Sequence, residues 1–127
     1  MDTSSEYILM CEKAEEIQAL REIGKLFVDG DWWMSRRWND GVPCVWRAYR
    51  GIDEVWLPRQ DQLQEMAWSH IAGTYNLLPT KLFAFSDYWE ENGIPHMFTS
   101  MEQLWLAFYQ KEKFGKVWQN GEWVKSA

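Results

Sequence analysis

The chain has 127 residues, 46% of them hydrophobic and 25% charged. That composition fits one globular domain and excludes a disordered or collagen-like chain, and the net charge of −6 disfavours direct binding of nucleic-acid phosphates. No apolar run approaches the ~20 residues of a membrane helix, and the first residues lack a basic-then-apolar leader, so a cytoplasmic protein with no membrane segment is expected.

The first predicted element is a helix over Ser5–Glu22, with Tyr7, Met10, Cys11, Ala14, Ile17 and Arg21 on one stripe. Thr3 with Glu6 forms a capping box, and Gly24 supplies the left-handed stop. From Asp31 to Arg50 the period changes to two, which predicts a hairpin around Asn39-Asp40-Gly41. A three-residue loop with Gly41 left-handed joins Trp32, Met34, Arg36 and Trp38 to Val42, Cys44, Trp46 and Ala48 on an inner face. Trp33, Ser35, Arg37, Val45, Arg47 and Tyr49 are then expected to face outward. Glu54–Leu57 reads as a short extended piece ended by Pro58, which opens a second helix on Leu63, Met66, Ala67, His70 and Ile71, closing near Gly73. A third helix follows Pro79, with Leu78, Leu82, Phe85 and Trp89 in step and Gly93 at its exit. A fourth, from Met101 to about Lys113, starts at a Thr99/Glu102 capping box, buries Met101, Leu104, Trp105 and Phe108, and stops at Gly115. Lys116–Gln119 and Glu122–Val124 form a closing hairpin around Asn120-Gly121. The expected architecture is a single α+β domain of four helices packed on a small antiparallel sheet made of two hairpins.

Charge is unevenly distributed. Residues 1–31 sum to −5 and 53–102 to −6, whereas 32–52 sum to +3 through Arg36, Arg37, Arg47 and Arg50, and 103–127 to +2. The bland reading is basic strands complementing acidic helices; the sharper one is a local anion site. Aromatic residues make up 17% of the chain, ten of them tryptophans. Trp32, Trp38, Trp46, Trp89 and Trp105 fit core positions, whereas Trp33, Trp68 and Trp123 fall off the apolar stripes. Exposed Trp, Tyr and Arg anchor protein interfaces and also make stacking platforms for bases. The candidate binding surface is therefore Trp33, Arg37, Arg47, Tyr49 and Arg50, set against an ordinary half-exposed sheet face.

Catalytic signals are thin. His70 reads as a semi-buried helix residue and His96 as a loop residue, neither at a metal-binding spacing. Asp61 and Glu65 read as an acidic first turn and Glu90-Glu91 as a solvated face. Cys11 and Cys44 read as buried, reduced thiols, and no phosphate loop or nucleophile elbow occurs. No catalytic residue, cofactor or metal is expected.

Three stretches carry a resemblance: Met10–Gln18, Val55–Met66, and Ser100–Phe108 continued by Lys111–Trp118 and Gly121–Val124. Together they resemble a family of short proteins, of no assigned activity, encoded by phages and prophages of low-GC Gram-positive bacteria. The resemblance implies an accessory phage product working in the host cytoplasm and carries no family catalytic residues. The reading adopted is a non-enzymatic protein that binds a host or phage protein, with inhibition of an antiphage defence system as one purpose. The alternative is a nucleotide-sequestering protein that uses the Arg/aromatic hairpin for phosphate and base. A small enzyme is the third reading, and a homodimer through the hairpin face or the last hairpin edge would also occupy spare tryptophans.

Overall fold

A computed structural model describes residues 1–21, 30–35, 42–43, 53–69, 78–92 and 97–126, the side chains at 68–69 and 78–82 excepted. Among these, the fold is α+β, as expected, with five helices and two separate two-stranded antiparallel sheets.

The expected first helix is split into α1 (Ser5–Lys13) and α2 (Glu15–Gln18), because Ala14 leaves helical geometry at φ −85°, ψ 76°. Its N–H turns to the Cys11 carbonyl (3.1 Å), which frees the Met10 carbonyl. The indole N–H of Trp123 donates to Met10 O (2.9 Å), and the Gln18 amide donates to Cys11 O (3.0 Å). Tertiary donors thus replace the helical bonds that the break gives up. The predicted stripe of Tyr7, Met10, Cys11, Ala14 and Ile17 is fully buried. The cap is Ser4 rather than Thr3: its hydroxyl accepts from the Tyr7 N–H (3.2 Å), leaving Glu6 to accept from the Trp118 indole (2.8 Å).

Strand β1 (Trp32–Ser35) pairs antiparallel with β2 (Glu54–Leu57), placing Trp33 opposite Trp56 and Met34 opposite Val55. The last three residues of each strand are buried, so side chains on both faces of this sheet are covered. The predicted Asn39–Gly41 turn, its loop length and the returning strand with Cys44 lie outside the described residues. So do Gly24, His70, Ile71, Gly73, Gly93 and His96.

The carbonyl of Pro58 accepts from the Tyr7 hydroxyl (2.5 Å), and α3 (Gln60–Ser69) follows it, burying Leu63 and Ala67. Among the described side chains of α4 (Leu78–Asn92), Phe85 and Tyr88 are buried. In α5 (Met101–Phe114) every residue from Gln103 to Gln110 is buried, well beyond the single row expected, while Met101 of that row is only half-buried. A helix buried around its whole circumference belongs at the centre of a fold, and α5 touches α1, α3, α4 and β3 (Lys116–Gln119).

Its N-terminal capping box is shifted one residue from Thr99/Glu102. Ser100 Oγ accepts from the Gln103 N–H (3.2 Å), and Gln103 Oε1 accepts from the Thr99 N–H (3.2 Å). Gly115 ends α5 in the left-handed region at φ 65°. Strands β3 and β4 (Glu122–Lys125) then pair around Asn120-Gly121, both at positive φ as the short hairpin turn requires. Trp118 and Trp123 face each other across this hairpin, ring centroids 4.9 Å apart, and their indole N–H groups tie it to α1. No helix among the described residues is long and apolar enough to cross a membrane.

Candidate interaction surface

Most of the described polar chemistry is engaged in holding the fold. Asp31 is 1% exposed, and its carboxylate accepts from Arg21 (2.7 and 3.3 Å) and Gln62 (2.6 Å). The Arg21 guanidinium also lies 3.9 Å over the Trp56 ring. Gln18 pairs with both backbone groups of Trp56, donating to its carbonyl and accepting from its N–H at 2.8 Å each. A side-chain amide thereby imitates a neighbouring strand and covers the β2 edge. Asp61 of the expected acidic turn forms a two-point pair with Arg59 (2.9 and 3.1 Å), which holds its carboxyl below the usual range. Glu16 is paired with Lys116.

A second polar cluster lies at the joint N-termini of α1 and α5, beside an open depression of about 550 Å³ lined by Asp2, Thr3, Ser4, Thr99, Ser100 and Glu102. The Asp2 carboxylate accepts from the Ser4 N–H (2.8 Å), the Gln103 amide (2.9 Å) and the Ser100 hydroxyl. Burial raises its pKa, but these hydrogen bonds outweigh burial and hold the group below its ordinary value. A carboxylate accepting three hydrogen bonds from the two helix starts closes the joint between them. Burial pushes the Cys11 thiol and the Tyr7 and Tyr88 hydroxyls up, so none of them ionises near neutrality. Among the described residues, no three His, Cys, Asp or Glu side chains gather to hold a metal ion.

Of the five residues expected to form a binding surface on the long hairpin, Trp33 alone lies among the described residues, and it does not face outward. Trp33 is only 3% exposed and belongs to the core, and Ser35, expected beside it, is also buried. Alternation predicts an outward face only when one side of a sheet meets solvent; here both sides are covered. Arg37, Arg47, Tyr49 and Arg50 lie outside the described residues. Trp123, also expected to be spare, is half-buried and bonded to α1.

Among the described residues, the exposed aromatic side chains lie on α4. Phe83 is 71% exposed and Trp89 44%, the latter in correction of its expected core position. Beneath them, Phe85 stacks on Trp105 of α5 (3.8 Å, 12°), while Tyr88 meets the edge of Phe108 (5.7 Å). Trp89 leans on Phe85 at 5.9 Å, so its partly exposed ring rests on the core. At 100° per residue, Phe83, Asp87 and Glu90 fall within about 60° of one another on the helix. Ser86, Asp87, Glu90 and Glu91 are all exposed, and no described Lys or Arg pairs with the three carboxylates. Sequence reasoning missed Phe83, although its position amid Asp87, Glu90 and Glu91 was the available signal.

Comparison of this chain with protein-family models, curated proteins and solved structures finds no match.

Proposed function

We propose that this chain is a non-enzymatic protein-binding protein that presents α4 to its partner. The observation that carries the reading is the pair Phe83 and Trp89, exposed side chains on a helix fastened to the core by Phe85 and Tyr88. Large rings presented on a rigid support are the residue types that dominate binding energy at interfaces. The resemblance to phage and prophage proteins supports a host or phage protein as the partner, the host cytoplasm as the location, and inhibition of an antiphage defence system as the purpose.

The test is affinity purification from infected low-GC Gram-positive cells, comparing the wild-type chain with Phe83→Ser. A protein recovered by the wild type and lost from the variant is the expected result. An identical set from both, or none above background, overturns the reading.

A further inference from the structure

We propose that the exposed face of α4 docks a cationic amphipathic segment of the partner protein, an inference that rests on the protein-binding reading and names the chemistry of what is bound. Apolar side chains of that segment meet Phe83, and its Lys or Arg groups meet Asp87, Glu90 and Glu91.

Charge selects this occupant. Three carboxylates without a described cationic partner share the side of α4 that carries Phe83, with Asp87 and Glu90 within about 40° of it and Glu91 about 80° away, whereas Trp89 lies about 120° round the helix. Such a face repels nucleic-acid phosphates and anionic lipid surfaces. It also disfavours a second copy of the same chain, because a two-fold contact would bring six carboxylates together. A cationic partner alone would leave Phe83 unexplained; at 71% exposure it offers apolar area that a highly hydrated ammonium does not cover. A segment with both characters satisfies both halves of the surface. Residues 83–92 extend over roughly 15 Å of helix, enough to face about three turns of a partner helix.

Fluorescence anisotropy with a labelled helical peptide of lysine and leucine in amphipathic spacing tests this. Two comparison peptides replace lysine by glutamate, or leucine by serine. The protein variants are Asp87→Lys/Glu90→Lys, Phe83→Ser, and a control of equal charge change elsewhere, Glu15→Lys/Glu122→Lys. All the altered side chains are exposed, and circular dichroism checks that each variant folds.

The expected result is binding of the lysine/leucine peptide by the wild type and the control, weakened about tenfold or more by the α4 charge reversal and by Phe83→Ser. The charge reversal should also gain affinity for the glutamate/leucine peptide. Equal weakening by the control, or serine peptide binding as tight as the leucine peptide, overturns the proposal in favour of unspecific charge attraction. A lowered Tm in the Asp87→Lys/Glu90→Lys variant overturns it in favour of the chain's own arginines, Arg36, Arg37, Arg47 and Arg50, as the occupant. No peptide binding alongside a Phe83-dependent partner from cells overturns the cationic chemistry and leaves the protein-binding reading intact; loss of both overturns both.

Discussion

Asp2 shows how a single side chain joins two elements that are distant in sequence. Its carboxylate accepts hydrogen bonds from Ser4 at the start of α1 and from Ser100 and Gln103 at the start of α5, where both helix dipoles favour negative charge. Because its folded pKa lies below the unfolded value, it contributes stability above the unfolded pKa of about 3.9 and loses that contribution as pH falls through the folded value. Asp2→Asn is expected to cost about 1 kcal/mol in urea unfolding at pH 7, allowing for its partial exposure. The gap between variant and wild type should close below about pH 3; a gap unchanged in acid would refute this role. At the same scale, the buried stripe from Tyr7 to Ile17 was legible because 3.6-residue spacing is local information. Trp33 and Trp89 were read the wrong way round because ring size does not reveal which face of an element is covered.

At the scale of elements, the stop after α5 and the last hairpin turn were legible because backbone conformation alone decides them. Gly115 and the Asn120-Gly121 turn stand where expected, each at positive φ. An added Cβ at Gly115 would meet nothing within 4 Å, so Gly115→Ala should cost only the left-handed backbone penalty, about 1 kcal/mol in thermal or urea unfolding. A loss of several kcal/mol would point to a steric clash that the structure does not contain. The N-caps of α1 and α5 each stand one residue beyond the expected threonine, since Thr3 and Thr99 have serine neighbours equally able to cap, and only α5 keeps a box, through Gln103. The break at Ala14 had no sequence signal. It is satisfied by Trp123 and Gln18, one from the far end of the chain and one from the next helix. Pairing of β1 with β2 was likewise invisible, because a strand's partner is set by long-range packing rather than by its own alternation.

For the whole molecule, α5 is the axis on which the helices and the last hairpin are assembled. Leu104 is fully buried there, and Leu104→Ala is expected to cost about 2–5 kcal/mol. Phe83→Ser, on the exposed face of α4, should stay within about 0.5 kcal/mol of wild type. Unfolding curves showing Phe83→Ser as damaging as Leu104→Ala would place that ring in the core and remove the candidate surface. By itself the sequence determined the α+β class, the helix-forming stretches, the closing hairpin and the buried row on α5, because these follow from short-range periodicity and turn chemistry. Only the tertiary structure decided that both sides of the first sheet are covered, that α5 is surrounded, and that the exposed rings among the described residues belong to α4. Which faces meet solvent depends on how elements far apart in the chain cover one another, and no local pattern encodes that.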